Sequence, residues 1–294
     1  NRNHSAYYPQ FLKMLKISSA LLSATLSISG ILLVEGFKPN FASAQSCNAS
    51  LFADKNDFGV SQGFCSGTPS IYGIRVFKMG FCTSNPFTSA GVAADYSSCT
   101  ITFSDSSGVD TSFAAGTTIS LPSGSSSMPT EGSYSYAIIE MGNTFDIAAQ
   151  MGPFNNGTTY YSTSSWTSAG SPGSTTGPAA TFAAGMTSFD PNNSCQATST
   201  PVTQSAATLT GYLVDSSGAL IADDAGIANC SGVSKIVGVA QLNTPVTITN
   251  LTRALTATFT VTNNGSSVYC SIGGGCGNIM FDSGPFNVSF NVIE

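Results

Sequence analysis

The sequence predicts an all-β fold, a disulfide-stapled antiparallel β-sandwich or jelly roll, and three observations carry that prediction. Apolar and polar residues alternate with a period of two in several short segments. Clusters of Asp, Asn, Ser and Gly separate those segments, as turns do. All 8 cysteines lie beyond position 44, which points to cross-linking in an oxidising compartment.

The alternation is strictest near the C-terminus. Over 254–262, Leu255, Ala257, Phe259 and Val261 share one face and four threonines share the other. Phe286, Val288, Phe290 and Val292 alternate in the same way with Asn287, Ser289 and Asn291. Such a segment buries one face and wets the other. Further strands are predicted over 71–81, 98–103, 117–121, 133–141, 144–149, 158–162, 208–214, 235–242 and 245–249. The sequence D-S-S-G follows a strand twice, at 105–108 and 215–218. Asp and Ser cap turn amides there, and Gly tolerates positive φ. Asn263-Asn264-Gly265 is a hairpin signal. Outside the N-terminal segment, helix is expected only as a short turn over 88–94.

That N-terminal segment reads as an export signal. Residues 17–34 form an uncharged apolar run, preceded by Lys13 and Lys16 and followed by Ala42-Ser43-Ala44. Basic flank, apolar centre and A-x-A site are the parts of a cleavable secretory signal. Met14 is the expected translation start, and a retained membrane anchor is the alternative reading. The division that follows is signal and upstream extension over 1–44, a β-sandwich domain over 45–165, a linker or long loop over 166–194, and a second β-sandwich domain over 195–294. One continuous sandwich with a long excursion is the competing arrangement.

The cysteines are Cys47, Cys65, Cys82, Cys99, Cys195, Cys230, Cys270 and Cys276. Local spacing favours the sequential pairs 47–65, 82–99, 195–230 and 270–276, which would staple loops to strands. The last of these would close a small Gly-rich ring. With no C-x-x-C and no nearby histidine, a zinc site has no support.

Charge narrows the function. Only 8% of residues are charged, against roughly 25% in an ordinary soluble domain. Ser and Thr together number 78, so the surface is built from hydroxyls. Beyond residue 44 the chain holds five basic and fourteen acidic residues, a net charge of −9, and no histidine, since the single one is His4. Nucleic-acid binding needs clustered Lys and Arg and is disfavoured. Without histidine, a Ser-His-Asp triad, a Cys-His pair and an H-E-x-x-H zinc site are all excluded. Paired carboxylates remain available, so glycoside hydrolysis stands as a lesser reading.

Asp105 with Asp110, and Asp215 with Asp223 and Asp224, are calcium-ligand candidates, although they lack the D-x-[DN]-x-[DN]-G loop, and turn capping is the favoured reading of these aspartates. Arg75 and Lys78 sit in an apolar strand, where they would either face an acidic patch on a neighbouring subunit or guard an exposed sheet edge. Tyr160, Tyr161 and Trp166 fit stacking on a sugar ring, or anchoring of a loop. The expectation is therefore a secreted, non-enzymatic cell-surface protein without a required cofactor. It would be a self-associating subunit of an extracellular filament or layer, or an adhesin. The alternative is a carbohydrate- or calcium-binding extracellular module.

Overall fold

Strict alternation and turn chemistry build the sheets of the computed structural model. It describes residues 32–34, 45–46, 65–113, 125–153, 157–167, 170–189, 194–199, 201–203, 207–262, 265–271, 278–284 and 286–294. The first strands are β1 (Leu32–Val34), β2 (Gln45–Ser46), β3 (Cys65–Gly67), β4 (Ile71–Cys82), β5 (Cys99–Phe113) and β6 (Ser125–Ser126). Next come β7 (Gly132–Gly142), β8 (Thr144–Ala148), β9 (Gln150–Met151), β10 (Tyr160–Ser162), β11 (Ser171–Ser174) and β12 (Phe182–Gly185). The last are β13 (Val202–Thr203), β14 (Ala207–Val214), β15 (Lys235–Ile248), β16 (Ala254–Thr260), β17 (Ser266–Ser271), β18 (Asn278–Ser283) and β19 (Asn287–Ile293).

The largest sheet runs β12-β8-β4-β7-β15-β14-β13, with β5 added to β4 and β6 to β5. A second sheet runs β2-β3-β17-β18-β11-β10-β9, and a third runs β1-β19-β16. Pairing is antiparallel throughout except between β2 and β3. The main core joins the first two sheets: Tyr72, Ile74, Val76 and Ile147 pack in one cluster with Val268, Ile279, Phe281 and Phe286. A smaller cluster around Phe81, Tyr134, Leu209 and Ile248 is covered by Leu255, Phe290 and Val292 of the third sheet. Phe290 meets Phe81 edge-on with ring centroids 5.0 Å apart. The arrangement is sandwich-like, all-β and disulfide-stapled, as the alternation predicts. No helix among the described residues is long and apolar enough to cross a membrane.

Several connections differ from the sequence reading. The first D-S-S-G does not end a strand. Val76 pairs with Val109 and Lys78 with Ser104, so residues 105–108 bulge out of β5 opposite Phe77. Gly108 takes φ +73° there, and a Cβ on it would lie 2.5 Å from Arg75 Cγ. The second D-S-S-G is a true turn, in which the Gly218 amide donates to Asp215 O at 3.1 Å. The same four residues thus supply the same local capping in two topological settings. The strands predicted over 235–242 and 245–249 merge into β15, with a register shift between Gln241 and Val246. Pro245 falls inside that irregularity, where its missing N–H breaks no ladder bond. Gly265 donates to Val261 O at 2.9 Å, but β16 pairs with β19 and β17 with β18, so the strands on either side of the predicted hairpin belong to different sheets. The short helical turn expected over 88–94 is absent, and a single 3-10 turn, Tyr96–Ser98, follows instead.

The polar stretch after Ser162 is built into sheet. β11 pairs with β10 and β18, and β12 pairs with β8. Its small residues serve close approach: a Cβ on Gly173 would sit 3.0 Å from Ile279 O, and Ser171 is fully buried with its hydroxyl donating to Thr163 O at 2.8 Å. Strands before and after this stretch also meet directly, since β7 pairs with β15 from Gly132 to Gly142. Residues 31–294 form one compact unit. The strand predicted over 117–121 and the pairs 47–65 and 270–276 lie outside the described residues. β17 and β18 pair out to Ser271 and Asn278.

Cys82 is bonded to Cys99 and Cys195 to Cys230, as the sequential pairing predicts. The disulfides indicate an oxidising environment.

Candidate functional site

β4 is not an edge strand. It pairs with β5 along one side and with β7 and then β8 along the other. Guarding an exposed edge is therefore not the role of Arg75 and Lys78. Both are ion-paired within the sheet.

Lys78 on β4 sits opposite Glu140 on β7, and its Nζ donates to Glu140 Oε2 at 3.1 Å. Lys235 at the start of β15 donates to Glu140 Oε1 at 2.6 Å. The Tyr96 hydroxyl donates to Oε2 at 3.3 Å. Each ammonium also faces a ring: Lys78 Nζ lies 4.2 Å from the Tyr96 centroid and Lys235 Nζ 4.4 Å from that of Phe77. Burial alone would raise the Glu140 pKa, but the Lys235 hydrogen bond and the Lys78 charge together hold it below the usual carboxylate range. Burial, with the Glu140 charge second, raises the Tyr96 phenol. One carboxylate is thus matched by two cations in the sheet, a cluster the sequence reading does not anticipate.

The excursion that brings Tyr96 here is stapled at its base by Cys82–Cys99, two residues that are also register partners of β4 and β5. Asp95 caps its 3-10 turn by accepting from the Ser97 amide at 2.9 Å. Farther out, Phe87 stacks on Tyr212 of β14 at 4.2 Å, and Asn85 Nδ2 donates to the Tyr212 hydroxyl at 3.1 Å. The Cys195–Cys230 staple holds a second covering segment. Cys195 and Asp224 exchange backbone hydrogen bonds of 2.9 Å, and the Cys230 amide donates to Thr187 O at 2.9 Å.

Beside the Glu140 cluster lies an open groove of ≈ 580 Å³. Alternate β4 residues Ile71, Gly73, Arg75 and Phe77 line it, and Phe77 is common to groove and cluster. Asp110 on β5 and Asp146 on β8 flank this row. Arg75 donates to Asp110 through Nε and Nη2, both at 2.6 Å, in a bidentate pair whose side chains are 51% and 72% exposed. So exposed a pair adds little to stability, and its interest is as a presenter of polar atoms. The Arg75 hydrogen bond holds the Asp110 carboxyl below the usual range.

The calcium candidates are not gathered. Asp105 accepts from the Ser107 amide at 2.9 Å, and Asp215 from Ser217 and Ala219 at 2.8 and 3.0 Å. Asp223 accepts from Ala197 at 2.7 Å, Asp224 from Gly226 at 2.7 Å, and Asp110 is clamped by Arg75. Each carboxylate serves a local donor. Among the described residues no group of three or more His, Cys, Asp or Glu is arranged to hold a metal. The aromatic trio is engaged in packing: Trp166 stacks on Phe182 at 5.6 Å, Tyr160 packs against the main core, and the Tyr161 ring lies 2.8 Å from where a Cβ on Gly177 would stand.

One carboxylate departs from the pattern. Burial raises Asp282 to about 6, against which the Ser283 amide and hydroxyl act only in part. A carboxyl whose folded pKa lies above its unfolded value of roughly 3.9 favours folding when protonated. Its contribution is complete below the unfolded pKa and is lost as pH rises through 6. Asp282→Asn is therefore expected to stabilise the protein by about 1–2 kcal/mol at pH 7, the residue being partly exposed, and to have no effect at pH 3.5. Urea midpoints at the two pH values test this; an equal shift at both would refute it.

No protein-family model, curated protein or solved structure matches the chain.

Proposed function

We propose that this chain is an exported, non-enzymatic cell-surface protein that works through contact, as a subunit of an extracellular filament or layer or as an adhesin. The observation that carries the proposal is the internal engagement of its cations. Four basic residues lie among those described, and Arg75, Lys78 and Lys235 are bound to Asp110 and Glu140. Beyond these pairs the described surface carries scattered exposed carboxylates among many hydroxyl and amide groups, so two such surfaces meet while stripping water from few ions, a step that costs several kcal/mol for each unpaired one. The two disulfides support the exported setting, and the apolar run over 17–34 with its A-x-A site supplies the route. A carboxylate hydrolase finds less support. Asp110 and Asp146 share the groove, but Arg75 keeps Asp110 ionised and unsuited to donate a proton.

Electron microscopy of the purified protein from residue 45 onward, and of the native cell surface, tests the proposal. Ordered polymers or a surface-bound array are expected for the subunit form. Bound monomers at the surface are expected for the adhesin. Dispersed monomers in solution with none at the surface would overturn both.

A further inference from the structure

We infer that the groove across β4 is a binding site for a neutral saccharide. This deepens the adhesin arm of the proposed function and rests on it.

The groove has the size of a small-molecule site, ≈ 580 Å³ against the usual range of roughly 300–1,000 Å³. Gly73 sits in register between Ser112 of β5 and Asp146 of β8, and a Cβ there would lie 3.1 Å from Asp146 Cβ. Gly142, at the end of β7, packs beside Arg75, and a Cβ there would come 3.7 Å from Arg75 Cβ. These glycines let the Asp146 and Arg75 side chains lie close against the neighbouring backbone, which sets the polar atoms of both at the groove.

The lining chooses the class of ligand. Two aspartates face one arginine, and that arginine is already held bidentately by Asp110, so a phosphate or other anion finds no uncommitted cation and meets net negative charge. A metal ion finds no group of three ligating side chains among the described residues. An apolar ligand would take water from the Asp, Thr and Ser groups of the walls and give them no partner in return. Vicinal hydroxyls match what is offered. Carboxylate oxygens of Asp110 and Asp146 accept, and Phe77 and Ile71 supply apolar contact for ring C–H groups. Because β4 is paired on both sides and Arg75 is clamped, these groups are ordered before the ligand arrives.

The test is an array of neutral gluco-, galacto- and manno-configured oligosaccharides printed beside sialylated and sulfated ones, probed with the oxidised protein. Hits are then titrated by calorimetry against wild type, Asp146→Ala and Gly73→Val. Asp146 is exposed, so its truncation leaves folding intact, and Gly73→Val pushes Asp146 from its place at the groove. Binding of a neutral glycan is expected, with at least a tenfold loss in Asp146→Ala. If Gly73→Val unfolds, the Asp146→Ala result alone decides. Three results would overturn the inference: silence across the neutral glycans, binding confined to anionic ones, or unchanged affinity in Asp146→Ala. Assembly or surface attachment seen by microscopy would survive each of these, so failure of the groove is separable from failure of the wider proposal.

Discussion

Replacing Glu140 with Gln is expected to lower the unfolding free energy by about 3 kcal/mol, a large part of the roughly 5–15 kcal/mol that holds a domain together. The wild-type carboxylate side chain is 9% exposed, while the Lys78 and Lys235 side chains are 26% and 23% exposed. Removing the negative charge leaves two ammoniums side by side in the sheet with nothing to balance them. Their partial access to water keeps the loss toward the lower end of the range for a broken buried ion pair. Removing one lysine is a smaller injury, because the carboxylate retains the other; Lys235→Met should cost about 1–2 kcal/mol. The order of the two variants is the sharper test, and urea unfolding of the oxidised proteins measures it. A Glu140→Gln midpoint equal to wild type would show that water already solvates the cluster.

The same site sets an acid limit. Glu140 is held below its ordinary range, so its contribution is complete above the unfolded pKa of roughly 4.3 and is lost as pH falls through the folded value. The gap between wild type and Glu140→Gln should close under acid. Asp282 acts in the opposite sense, losing its contribution as pH rises through about 6. Stability is thereby pulled toward a maximum in weakly acidic solution.

The second large effect belongs to Cys195–Cys230. The bond spans 35 residues, and the chain-entropy estimate for a loop of that length is about 4 kcal/mol, against about 3 kcal/mol for the 17-residue Cys82–Cys99 loop. Structure widens the difference. Cys82 and Cys99 remain neighbours in the β4–β5 ladder without their bond, whereas Cys195 is held by one isolated bridge to Asp224. Cys195→Ala with Cys230→Ala is expected to lower the melting temperature more than Cys82→Ala with Cys99→Ala. Calorimetric scans of the two double variants decide the order, and the reverse ranking would mean that the outer segments keep their places without a staple.

Much of this framework is legible in the sequence. Period-two alternation locates β4, β7, β14, β16 and β19 to within a residue or two, and sequential spacing predicts both described disulfides. Strand partners are harder, because pairing depends on contacts far apart in the chain. Asn263-Asn264-Gly265 reads as a hairpin from local chemistry, yet its flanking strands join different sheets. The Gly-, Ser- and Pro-rich stretch after Ser162 resembles a linker for the reason that makes it useful in a sheet: small side chains admit close neighbours. The Glu140 cluster is the main omission. Its three charges come from positions 78, 140 and 235, and no local pattern joins them. One signal was present, since a lone glutamate inside the run Ala137-Ile138-Ile139-Glu140-Met141 must be paired if it is buried. With so few basic residues in the chain, Lys78 and Lys235, each inside or beside an apolar strand, were among the few partners available. The groove is illegible for a different reason: its walls come from several strands, and a glycine such as Gly73 does not say that Asp146 will stand beside it.

The two staples also govern how far the chain can be drawn out. Bonds spanning 17 and 35 residues keep those segments from extending, which at roughly 3.4 Å per residue withholds ~180 Å of contour until the disulfides are reduced. A protein anchored at a surface and pulled by flow or by a bound partner would therefore come to the end of its reach sooner when oxidised. The excursion carrying Tyr96 and the segment held at Cys195 would both lie off the line of tension, shielded by their covalent bases.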